Sequence, residues 1–213
     1  MGEIRKGILG GFSGKVGTVI GANWRGKDIM RSLPKKSGRI ATEQQELQRA
    51  KFALVAHFLT PLADVIRNYY GQGQGLKSRR NLAMSYHITD AITGNFPDLM
   101  IDYERVVLTK GDLLGPQDIT STAAADTKIN FEWADNSNQG TAKPTDKLLV
   151  VVYNPAKDLF EVRENVADRN ATMAEVTLPA NFTGDTVVCY VSFISEDKKK
   201  FANSLFMNEI TMM

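Results

Sequence analysis

The residues of this chain that could do chemistry are few and scattered. Its histidines are His57 and His87, and its one cysteine is Cys189. A metal site needs ligands at a spacing such as His-x-x-x-His, and neither histidine has such a partner. His57 stands beside Phe58 on a mostly apolar helical stretch and reads as a packed or partly exposed ring. Cys189 lies between Val188 and Tyr190 in an apolar strand, where a thiol is an inert small hydrophobe. No Gly-x-Ser-x-Gly elbow activates a serine. The carboxylate pairs Asp98/Asp102 and Glu161/Glu164 have the spacing of solvated loops and an outer strand, not of acid–base machinery. Gly14-Lys15 invites a phosphate-loop reading. That pattern fails twice, with Leu9 where its first glycine belongs and Val16 where a serine or threonine should hold Mg²⁺. The expectation is a chain without catalytic residues, metal or cofactor.

Binding chemistry is better supplied. Lys15, Arg25, Lys27, Arg31, Lys35 and Lys36 gather around Trp24, with Val19, Ile20 and Ile29 as apolar neighbours. Residues 1–53 hold eleven Lys or Arg against four Asp or Glu, a balance of +7; the remainder holds fifteen against twenty, −5. Three readings of this basic head compete. Cations around an aromatic on a β-ribbon suit nucleic-acid phosphates and bases. A glycine-rich strand ahead of a compact body can add to a neighbouring copy's sheet, and opposite charge on arm and body favours head-to-tail contact. The arm could equally fold back on its own helices. The partner expected first is protein, other copies of this chain, with nucleic acid as the alternative and no membrane.

The elements that must position these residues follow from pattern. Six glycines in residues 7–21 forbid a regular helix and let backbone run close to another surface. From Thr18 the sequence turns strand-like, with Gly26-Lys27 as the two-residue type II′ turn of a hairpin. That register sets Arg25 across from Asp28 and Trp24 across from Ile29, so that Ile20, Trp24, Ile29 and Leu33 share a face. Pro34 ends the ribbon. Thr42 and Gln45 make a capping box for a helix carrying Leu47, Ala50, Leu54 and Phe58. Thr60-Pro61 caps a second helix carrying Leu62, Val65, Ile66 and Tyr69. A third runs from about Ser78 to Thr93, with Leu82, Tyr86 and Ile92 on one side. Beyond Tyr103 the period drops to two, predicting strands at 103–109, 127–134, 147–153, 159–164, 173–178, 186–195 and 203–211. Ile129, Phe131 and Trp133 alternate inward, and Leu148–Tyr153 is apolar throughout, as in a strand covered on both faces. Seven short strands with a core tryptophan form the pattern of an immunoglobulin- or fibronectin type III-like sandwich.

The fold class is therefore α+β: a basic arm and β-hairpin over 1–40, two to three helices over 41–100 and a sandwich over 101–213. The bulk composition, 43% hydrophobic and 23% charged in 213 residues, is that of an ordinary globular chain. Glycines interrupt the apolar residues behind Arg5 and Lys6, so no signal peptide is expected. No stretch approaches the roughly 20 apolar residues of a membrane span. Such a chain is expected in the cytoplasm, or released within a virion-like particle.

Several strings carry a family resemblance: Gly11 to Gly21, Asn23-Trp24-Arg25-Gly26, Arg31 to Lys36, Thr42-x-x-Gln45 with Arg49-Ala50-Lys51-Phe52, Asp146 to Asn154, and Phe193 to Asp197 with Asn203-Ser204. Over nearly the whole chain the sequence resembles an uncharacterised domain-of-unknown-function family found mainly in Bacteroidota. The resemblance implies the ribbon-and-sandwich architecture and no activity. A looser similarity is to phage-type proteins that pair a glycine-rich ribbon and a glutamine-rich helix start with a fibronectin-like domain. The arm's glycine density, the charge asymmetry and the lack of a catalytic constellation set the expectation: a non-enzymatic structural protein, a subunit of a larger, virion-like assembly with residues 7–36 making the contacts between subunits.

Overall fold

The computed structural model describes residues 2–4, 10–24, 26–35, 38, 40–73, 75 and 77–213. The chain divides into two compact units, Met1–Glu43 and Gln44–Met213.

The first unit is an antiparallel sheet of β1 (Gly2–Ile4), β2 (Phe12–Val16), β3 (Val19–Trp24) and β4 (Lys27–Ser32), paired in that order. The Gly-X turn expected at Gly26-Lys27 occurs instead at Gly17-Thr18, where Val16 faces Val19 and Gly17 has φ +58. A positive φ confined to the first loop residue is the mark of type II′, and glycine adopts it without strain. The second turn differs from expectation by one residue. Trp24 faces Lys27 and Asn23 faces Asp28, so the loop is 25–26 with Gly26 at φ +82. Asn23 accounts for the shift. Its side-chain oxygen accepts from Gly26 N–H at 3.0 Å and its amide donates to Asp28 at 2.8 Å, closing the loop one residue early. The expected Trp24–Ile29 pairing is therefore replaced by Ala22–Ile29. Arg25, and with it the expected Arg25–Asp28 pair, lies outside the described residues.

The glycines of this sheet are sites of close approach. A Cβ on Gly21 would lie 2.1 Å from the Phe12 carbonyl oxygen and within 2.7 Å of its ring; one on Gly11 would lie 2.3 Å from the Asp28 carboxyl carbon. Phe12 thus packs where a side chain at 21 would stand.

The second unit opens with α1 (Glu43–Leu59), which begins directly after Thr42 as the capping box predicts. Its buried residues are Val55, Phe58 and Leu59; Leu47, Ala50 and Leu54 are only half-buried, so the inner face is rotated and confined to the last turns. Thr60 does not cap the next helix. Its hydroxyl donates to the Ala56 carbonyl, one of the carbonyls that a helix end leaves orphaned, and so it closes α1. α2 (Ala63–Tyr69) starts after Leu62 without a side-chain cap. Leu62, Val65, Ile66 and Tyr69 are all buried, as expected. α3 (Arg79–Asp90) is capped by Ser78, which accepts from Asn81 N–H. It buries Ala83, Met84 and His87 rather than the face of Leu82 and Tyr86. It also ends before Ile92, which opens the hairpin of β5 (Ile92–Asn95) and β6 (Asp98–Ile101).

The sandwich comprises β7 (Gln117–Ala124), β8 (Lys128–Ala134), β9 (Lys147–Asn154), β10 (Leu159–Arg163), β11 (Met173–Thr177), β12 (Thr186–Ile194) and β13 (Leu205–Thr211). One sheet has the order β11-β8-β7, the other β10-β9-β12-β13. Six of the seven expected strands stand where predicted to within two residues. The strand expected at 103–109 is not there. Tyr103–Arg105 is a 3-10 turn followed by extended chain that buries Val106 and Leu108. The seventh strand is β7, whose Gln-Asp-Ile-Thr-Ser-Thr-Ala-Ala lacks the apolar alternation that marks a half-buried strand.

β9 and β12 are central to both cores. Leu148, Val150 and Val152 face Ile129, Phe131 and Trp133 across the sandwich. Leu149, Val151 and Tyr153 point the other way, into a second core with Val55, Phe58, Leu62 and Ile66 of the helices. Val187, Cys189, Val191 and Phe193 alternate with Val188 and Tyr190 in the same way. The helices thus form a third layer on the four-stranded sheet. That is why Leu148–Tyr153 carries no polar residue: each face of the strand has a core to fill.

Candidate interaction surface

The register of the N-terminal sheet sorts the candidate residues by face. Directly opposed residues in an antiparallel pair point the same way. Lys15 opposes Ile20, Ile20 opposes Arg31, Ala22 opposes Ile29 and Trp24 opposes Lys27. Lys15, Ile20, Trp24, Lys27, Ile29 and Arg31 therefore share one face, and so does Leu33 by its bond to Thr18. Val19 falls on the opposite face with Asn23, Asp28 and Met30. Lys35 follows the end of β4, and Lys36, like Arg25, is outside the described residues.

This face is exposed and predominantly basic. Trp24 is 49% and Ile29 40% exposed. Lys15 and Arg31 flank Ile20, about 10 Å apart at two strand spacings. Among the described residues no carboxylate pairs with Lys15, Lys27 or Arg31. Of the acids of this sheet, Asp28 is on the other face, held by Asn23 and covered by Gly11, whereas Glu3, in register with Ser13 on the outer strand β1, falls on the cationic face. Three cations around two exposed apolar side chains form a surface suited to a macromolecular partner.

The other chemical residues are occupied structurally. Cys189 is fully buried, and burial pushes its thiol up to about 12, far from thiolate chemistry at neutral pH. His87 is fully buried; its Nε2 accepts from Val107 N–H at 3.3 Å, so Nδ1 carries the hydrogen donated to the Ala83 carbonyl at 2.8 Å. Desolvation lowers its pKa. His57 is exposed, 3.4 Å from Asp158. Asp102 pairs with Arg105, Glu161 with Arg163, and Glu164 with Lys198 and the Tyr69 hydroxyl. Among the described residues no three of His, Cys, Asp and Glu come together as metal ligands, and no helix is long and apolar enough to cross a membrane.

Arg169 was not foreseen. Its guanidinium is fully buried, bonded to Asp146 at 3.1 Å, Asn136 at 2.5 Å and the Leu114 carbonyl at 2.8 Å, and stacked 4.0 Å over the Phe193 ring. Its own carbonyl accepts from the Trp133 indole at 2.7 Å. This cluster joins both sheets at one end of the sandwich. Desolvation lowers the Arg169 pKa and the Asp146 charge opposes that shift. No local pattern could have revealed it, because its partners lie 23, 33 and 55 residues away.

One family match spans the basic face, the helices and the sandwich together, covering residues 11–208. The chain belongs to the family of unknown function DUF6266. No curated protein matches the sequence. Among solved structures, the fn3 domain of human collagen alpha-1(XX) chain is similar at 13% identity and a TM-score of 0.34, covering 46% of this chain and 85% of that one. The fn3 domain of human contactin 1 is similar at 7% identity and a TM-score of 0.33, covering 49% and 83%. The fibronectin type III-like assignment of this DUF6266 chain stands on its own strand order, three strands facing four with β9 and β12 central.

Proposed function

We propose that this chain is a non-enzymatic structural protein, a subunit of a larger, virion-like assembly in which the N-terminal sheet makes the contacts between copies. One observation carries the reading: Lys15, Lys27 and Arg31 stand without carboxylate partners among the described residues, beside exposed Trp24 and Ile29, on one face of a compact unit. The opposite net charge of residues 1–53 and of the remainder supports contact between copies. Light scattering on the full chain and on a chain lacking residues 1–36 tests it. Oligomer from the first and monomer from the second is the expected result; monomer from both sinks self-assembly.

The same three cations around Trp24 favour a second reading, binding to nucleic acid through phosphate contacts and base stacking. Three such contacts at about −0.9 each in the log–log salt slope predict about a 40-fold loss of affinity between roughly 50 and 200 mM salt. Fluorescence anisotropy with a labelled oligonucleotide separates the readings. No binding at the lower salt, with oligomer retained after nuclease treatment, excludes it.

A further inference from the structure

A groove in the second unit fits this basic face. It has a volume of about 470 Å³ and lies beside β13, the last strand of its sheet, between that strand and the chain leading out of β6. Ile101, Tyr103 and Phe206 give it apolar walls, and Asp102, Glu104 and Glu209 give it an acidic rim. Met100, 62% exposed, stands directly across the hairpin from Thr93, which lines the groove. Asp102 is satisfied by Arg105, whereas Glu104 and Glu209 have no cationic partner among the described residues.

The other sheet edges differ. At β10, Glu161 is neutralised by Arg163, and at β11, Glu175 is neutralised by Lys128. β7 carries a register shift and a left-handed Asp118, which twist its edge away from partners. Uncompensated negative charge beside exposed apolar surface is found at the groove along β13. The complementary feature in the same chain is the sheet face where Lys27 and Arg31 flank Ile29, with Trp24 opposite Lys27. An aromatic anchor entering an apolar pocket while cations meet acids at the rim is the usual anatomy of a specific protein contact.

We propose that the groove beside β13 is the acceptor for the N-terminal sheet of a second copy, with Trp24 and Ile29 against Tyr103 and Phe206, and Lys27 and Arg31 on Glu104 and Glu209. The proposal rests on the assembly reading above and names its partner surface. The contact is heterologous, arm to groove, so it builds rings or filaments rather than closed two-fold dimers.

Charge reversal in pairs tests it on the full chain. All four charged residues are exposed, and circular dichroism checks that each variant is folded. Lys27→Glu/Arg31→Glu should be monomeric at concentrations where the unaltered chain associates, and Glu104→Lys/Glu209→Lys should be monomeric too. An equimolar mixture of the two should recover the original mass, because every junction in an alternating chain then joins opposite charges. If the groove variant assembles like the unaltered chain while the arm variant does not, the groove is not the acceptor, although arm-mediated assembly stands. A mixture that stays monomeric overturns the pairing. An unaltered chain that is itself monomeric overturns both the pairing and the reading beneath it.

Discussion

Two buried residues show how single side chains set the stability of the second unit. Arg169 gives its guanidinium to Asp146, Asn136 and a backbone carbonyl with no exposure to water. Removing one partner of such a pair leaves a buried charge uncompensated, at a cost of about 3–5 kcal/mol. Arg169→Ala is therefore expected to lower unfolding stability by that amount in urea titration; a change below about 1 kcal/mol would mean the cluster relaxes without loss. His87 acts through pH. Its folded pKa lies below its ordinary 6.5, so the unfolded chain takes up a proton that the folded chain resists. Stability should fall as pH drops below about 6.5 toward the lowered folded value. His87→Gln, although less stable overall, should lack that slope between pH of about 7 and 5, where the carboxylates remain ionised. Neither role was legible in the sequence. Arg169 looks like a turn residue in Asp-Arg-Asn-Ala, and His87 lies off the helix face that Leu82 and Tyr86 suggest.

At the scale of elements, legibility followed burial. β8, β9 and β12 were readable because their faces meet packed cores, so hydrophobicity reports their period directly. β7 was hidden for the opposite reason: it is an edge strand of Ser, Thr and Ala with only one half-covered face. The N-terminal hairpin was legible in parity and not in register. Ile20, Trp24, Ile29 and Leu33 share a face as expected, because moving the turn by one residue shifts the pairing by two and leaves the faces unchanged. What displaced the turn was a side-chain clamp, Asn23 on Gly26 and Asp28, that a rule based on glycine position alone does not include. The glycines of this sheet yield a prediction of their own. A Cβ at Gly21 would meet backbone at 2.1 Å, so Gly21→Ala must separate β2 from β3 near Phe12. It should abolish self-association while leaving the melting of the Gln44–Met213 unit unchanged, as read by calorimetry beside light scattering. Unaltered assembly would mean that the sheet is not what joins the copies.

At the scale of the molecule, the chain couples a small basic sheet to a three-layer body of opposite net charge. The body buries its apolar residues in two cores on either side of β9 and β12, which leaves its buried histidine, its cysteine and its most buried arginine serving structure. The cation-bearing face of the sheet and the acidic groove beside β13 both carry charges without ion-pair partners among the described residues. The sequence showed the first through its charge asymmetry. It could not show the second, whose walls come from residues about 100 positions apart. The central claim is that copies join through the N-terminal sheet. Its most direct test is the mass in solution of the full chain and of the chain lacking residues 1–36, measured by light scattering behind size-exclusion chromatography after nuclease treatment. Assembly through the sheet gives a multiple of 23.6 kDa for the full chain and a monomer for the truncation. The same mass multiple for both, or a monomeric full chain, would contradict it.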